Sequence, residues 1–97
     1  MTPRFSVRTV PQFDRLLRRP TAQHPDLPRL YTEALNILET DPHNLSRAHN
    51  IRKLTGVTAG DGGQYRLRIG RFRFRYDIEG QVVYLKACSL RREGTYR

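Results

Sequence analysis

Arginine stands at positions 66, 68, 71, 73 and 75 of the run QYRLRIGRFRFRYDIEG, and Leu67, Ile69, Phe72 and Phe74 lie between them. An arginine side chain ends in a planar fork that grips phosphate in two places at once and also stacks on a base. A spacing of two sends alternate side chains to opposite faces of a strand. The run therefore reads as a hairpin with one apolar face and one cationic face, and the chemistry that face suits is recognition of a phosphate backbone.

The composition points the same way. Eighteen Lys+Arg stand against nine Asp+Glu, for a formal net charge of +9, and only Lys53 and Lys86 among the cations are lysine. Such a balance implies a polyanionic partner, nucleic acid first. Cys88 is the only cysteine, so no internal disulfide forms and a reducing compartment is expected. The N-terminus has no apolar run of the signal-peptide kind, and no window approaches the length of a membrane span. The expected location is cytoplasmic.

The elements that must position these arginines read as one domain over residues 1–97. Pro3 to Val10 alternates as a strand suited to a sheet edge. Pro11 to Pro20 reads as a short helix. Asp26 and Pro28 open a second helix, along which Leu27, Leu30, Tyr31, Ala34, Leu35 and Leu38 form one apolar stripe. Asp41 to Gly63 reads as a long loop pinned by Ile51, Leu54 and Val57. Three strands follow, Tyr65 to Ile69, Phe72 to Ile78 and Val82 to Cys88, with turns at Gly70-Arg71 and Glu79-Gly80. The expected fold class is α+β: an N-terminal strand, a two-helix hairpin, and a C-terminal antiparallel meander of three strands in one small sheet packed by the helices.

Turn geometry converts this order into a register. A two-residue loop at Gly70-Arg71 sets Arg68 opposite Arg73, Leu67 opposite Phe74 and Arg66 opposite Arg75. The same rule at Glu79-Gly80 sets Tyr84 opposite Arg75, Leu85 opposite Phe74 and Lys86 opposite Arg73. Like charges placed directly opposite cost from a few tenths to ~1 kcal/mol per pair. A solvated sheet face accounts for two or three arginines, and a converging cluster asks for a partner.

Three stretches carry a resemblance: KLTG at Lys53 to Gly56, YRLRIGRFRFRYDIEG at Tyr65 to Gly80, and VVYLKACSLRREGTYR at Val82 to Arg97. Taken in order, they resemble the RelE/ParE superfamily of bacterial toxins from type II toxin–antitoxin systems. In the RelE-like branch the resemblance implies a ribosome-dependent mRNA interferase, an endoribonuclease that inhibits translation and is neutralised by a cognate antitoxin in a hetero-oligomer. In the ParE-like branch it implies a DNA gyrase inhibitor without RNase activity. A non-catalytic nucleic-acid-binding module is the third reading, and fold alone does not separate them.

Carried over residue by residue, the RelE-like pattern implies catalytic roles for Arg66, Arg68, Arg73, the tail arginine Arg91 or Arg92, and Tyr96; the remaining candidates for RNA binding are Arg71, Arg75, Tyr84, Lys86 and Lys53. RNA cleavage of this kind uses the substrate's own 2′-hydroxyl against the adjacent phosphorus. The enzyme then has to help remove a proton, stabilise a dianionic phosphorane and protonate the leaving oxygen. Arg66, Arg68 and Arg73 suit the middle task. Tyr96 corresponds to the base, and a phenol, with an ordinary pKa of ~10, needs nearby cations such as Arg91 and Arg92 to ionise at neutral pH. RelE-like members often carry lysine where this chain has Arg66 and Arg68, and arginine stabilises charge there without exchanging a proton.

His24, His43 and His49 sit in or beside expected loops at spacings that suggest no metal site. No cofactor, metal or membrane is expected, and the partners implied are mRNA, the ribosome and the antitoxin.

Overall fold

The computed structural model describes residues 5–11, 25–56 and 63–90. Its elements in chain order are β1 (Ser6–Thr9), α1 (Leu27–Thr40), β2 (Ile51–Lys53), β3 (Tyr65–Ile69), β4 (Phe72–Glu79) and β5 (Val82–Leu90). They form a five-stranded sheet in the order β1-β5-β4-β3-β2. The pairings β2·β3, β3·β4 and β4·β5 are antiparallel, whereas β1 runs parallel to β5.

This corrects the expected architecture of a two-helix hairpin on a three-stranded meander. Among the described residues there is one helix, and the sheet is five-stranded and mixed. The expected helix from Pro11 to Pro20 lies, apart from Pro11, outside the described residues, as does Val57. Ile51–Lys53, expected inside a loop, is an edge strand in which Ile51 pairs with Leu67 and Arg52 with Arg66. Three residues are too few to show a period of two, so only the partner strand reveals it.

Helix α1 forms where the apolar stripe predicts. Pro28 lies in its first turn, where a missing N–H costs nothing. Asp26 is the N-cap but its carboxylate makes no capping hydrogen bond; only its carbonyl takes part, accepting the Leu30 N–H at 3.1 Å. Leu27, Leu30, Ala34 and Leu38 are buried against Leu67, Phe72, Phe74, Tyr76, Val83 and Leu85. Tyr31 stacks on Phe74 with ring centroids 6.1 Å apart. The helix therefore covers one face of the sheet.

The segment after the helix is tied down by side chains. Asp41 Oδ1 accepts the Leu45 N–H at 2.7 Å, and Oδ2 accepts the Ser46 N–H at 3.1 Å and the Ser46 hydroxyl at 2.6 Å. Asn44, at φ 56°, donates from Nδ2 to the His49 carbonyl and accepts the His49 N–H at Oδ1. From the sheet, the buried Tyr76 hydroxyl donates to the Pro42 carbonyl at 2.7 Å. Burial, with Tyr65 and Asp41 nearby, raises the Tyr76 pKa far above its ordinary value, so this donor keeps its proton.

The Asp41 cluster predicts a pH dependence. Burial alone would raise the carboxyl pKa, but the Ser46 hydroxyl, the Leu45 and Ser46 N–H groups and the neighbouring His49 together hold it below the ordinary 3.8. With the folded-state value the lower one, the stabilisation is complete above the ordinary value and is lost as pH falls through the folded one. Urea unfolding midpoints should drop across that window, and Asp41→Asn should show a smaller drop over the same range.

Candidate nucleic-acid interface

The β3–β4 hairpin has the register read from the sequence: Arg66 opposite Arg75, Leu67 opposite Phe74, Arg68 opposite Arg73, Ile69 opposite Phe72. Directly paired residues share a face. Leu67 and Phe74 lie under the helix, so Arg66, Arg68, Arg73 and Arg75 project from the other side. Their Nε atoms are all buried, so each side chain is packed into the face at least as far as the start of its guanidinium group. The Nε of Arg73 is buried without a hydrogen-bond partner, a cost to folding. Arg75 donates from Nη2 to the Gly63 carbonyl at 2.6 Å.

Gly63 permits that contact. Its φ of 110° is open to glycine, and a Cβ there would stand 2.6 Å from the Tyr76 nitrogen. A side chain would push the loop off β4 and take the Arg75 acceptor with it.

On β5 the structure corrects the sequence reading. The second hairpin loop is Gly80-Gln81, with Glu79 opposite Val82, and the register shifts by one between Arg75 and Tyr76. Tyr84 faces Asp77 rather than Arg75, Leu85 faces Tyr76 rather than Phe74, and Arg73 faces Ser89 rather than Lys86. Gly80, at φ 58°, is what permits the tight turn at that position. Lys86 is the extra residue of a β-bulge, which leaves both Val83 and Leu85 on the core side and returns Cys88 to the same side as partner of Phe74. Burial there pushes the Cys88 thiol up to about 11, as expected of a small apolar filler rather than a nucleophile.

Two cations join the face that sequence reasoning did not place there. Arg52 lies beside Arg66 through the β2 pairing, and Arg8 lies beside Tyr84 through the parallel pairing of β1. The alternation Phe5-Ser6-Val7-Arg8 gave the phase of β1 but not its neighbour. Arg71 is exposed in the hairpin turn at the end of the face. Lys53 is not brought to it: it pairs with Tyr65 on the helix side of the sheet, and its Nζ lies 5.7 Å from the centre of that ring. Arg91, Arg92 and Tyr96 lie outside the described residues.

The assembled face carries rows of Arg52, Arg66 and Arg75, of Arg68 and Arg73, and of Arg8, Tyr84 and Asp77. Adjacent rows are two residues apart along a strand, ~7 Å at ordinary strand rise, a spacing that suits successive phosphates of one nucleic-acid strand. Among the described residues no group of histidine, cysteine, aspartate and glutamate could hold a metal ion, and no helix is long and apolar enough to cross a membrane. No protein-family model, curated protein or solved structure matches this chain.

Proposed function

We propose that the arginine face binds the phosphate backbone of RNA and that the chain is a ribosome-dependent mRNA interferase of the RelE type. The observation that carries this reading is the pairing of Arg66 with Arg75 and of Arg68 with Arg73 on the face opposite the helix. A fold gains nothing from stacking like charges, and a polyanion gains from it directly through counterion release. In the proposed reaction the 2′-oxygen bonds to the adjacent phosphorus, the bond from phosphorus to the 5′-oxygen breaks, and charge develops on the non-bridging oxygens. Arg66, Arg68 and Arg73 stabilise that charge by being aimed at it beforehand. Tyr96, as the phenolate, takes the 2′-proton, and the leaving 5′-oxygen, its charge stabilised by Arg91 or Arg92, takes a proton from water. A small acidic antitoxin that covers the same face would hold the activity in check, consistent with a net charge of +9.

Primer extension on a reporter mRNA in a cell-free translation reaction tests the proposal. Cuts in phase with codons that vanish when ribosomes are omitted are the expected result. Intact mRNA in the presence of folded protein would overturn the interferase reading, and gyrase-dependent DNA breaks would then support the ParE-like alternative.

A further inference from the structure

Asp77 sits inside the cationic face and is only 2% exposed. Its Oδ1 accepts the Gln64 N–H at 2.7 Å, and its Oδ2 lies 2.7 Å from the Lys86 Nζ. A carboxylate so deeply placed requires a counter-charge and hydrogen bonds. The nearby cations differ in what they can offer. Arg75 directs Nη2 to Gly63, and Arg8, across Tyr84, is exposed at the sheet edge. Lys86 reaches the carboxylate because the bulge brings it to the arginine side of β5, next to the residue that faces Arg75.

We infer that Asp77 withdraws Lys86 from the phosphate-contacting set, so that the backbone of a bound single strand is read by arginine alone and Lys86 acts as a positioning residue at the bulge. This rests on the nucleic-acid reading of the face. An ammonium already held by a carboxylate adds no phosphate contact and releases no counterion, so it contributes nothing to the salt dependence of binding. The sequence expectation that Lys86 binds RNA is thereby replaced by a counter-ion role. The steeper slope expected of Asp77→Asn, beside an unchanged one in Lys86→Gln, separates this role from a merely structural one.

The test is fluorescence anisotropy of a labelled oligouridylate with the full chain, titrated across a range of salt. The wild type should show affinity falling with salt. Asp77→Asn retains an oxygen for the Gln64 N–H but no longer holds the ammonium; Lys86 then joins the contacts, and the slope of log K against log salt steepens by ~0.7. Glu79→Gln, two residues along the same strand at an exposed position, adds the same unit of net charge and should leave the slope unchanged. Lys86→Gln, which can still donate to Asp77, should also leave it unchanged. A slope reduced by ~0.7 in Lys86→Gln, or unaltered in a folded Asp77→Asn, overturns the inference. Circular dichroism is recorded on both variants, and if only one of Asp77→Asn and Lys86→Gln is folded, that one decides. A wild type that does not bind overturns the interface reading and this inference with it, whereas binding with the wrong variant pattern overturns this inference only.

Discussion

Arg73→Gln is expected, if the chain is the interferase proposed above, to slow RNA cleavage about 10²–10³-fold, the usual cost of removing one preorganised donor from a developing anion, without weakening the fold. Arg73 is paired directly with Arg68. Removing one of two facing like charges relieves from a few tenths to ~1 kcal/mol of repulsion. Its buried Nε has no hydrogen-bond partner, so the substitution also removes an unsatisfied donor. The shorter glutamine gives up part of the stem's packing, which offsets some of this gain. The combination is diagnostic. A time course of ribosome-dependent cleavage should collapse while the urea midpoint stays level or rises. A loss of activity accompanied by an equal loss of stability would mean that the arginine is there to hold the sheet.

The hairpin at the centre of this face was legible because two independent signals agree there. The alternation from Tyr65 to Tyr76 sets the faces, and Gly70-Arg71 sets the register. Helix α1 was legible for the same reason, since its stripe of leucines has a single consistent period. The register of β5 was not. Val83 and Leu85 lie on odd positions and Cys88 on an even one, and all three pack on the core side. That change of phase within VVYLKAC is the signature of a bulge, and attention to it would have separated Lys86 from the arginine row. Asp77 escaped notice because an acid among arginines looks like a solvated charge until its partner across the bulge is known. The positions of Arg8 and Arg52 depend on which strands become neighbours, a long-range property that no local pattern carries. The edge strand β2 is not legible because three residues show no period, and two of them, Arg52 and Lys53, are exposed charges of the kind that protect a sheet edge and resemble loop residues in sequence.

Phe74→Ala should cost ~3–5 kcal/mol, a large part of the ~5–15 kcal/mol that holds a domain together. Phe74 is fully buried, pairs with Leu67 on one side and Cys88 on the other, and stacks on Tyr31 of the helix. Few residues touch so many elements, and the cavity left by alanine would open between sheet and helix, where neither side collapses without breaking ladder hydrogen bonds. At ~4–8 °C per kcal/mol for a domain of this size, the melting temperature should fall by tens of degrees, as measured by circular dichroism. Phe74→Leu, which keeps most of the apolar volume, should fall between the two. The same experiment bears on the interface. Arg73 and Arg75 flank Phe74 on β4, so the arginine pairs are aligned only while that strand is pinned to the helix. RNA affinity should therefore be lost together with the fold in Phe74→Ala, and independently of it in Arg73→Gln. A melting temperature left within a degree or two would mean that the strand is not resting on the helix, and the arginine pairs would lack the rigid floor that preorganisation requires.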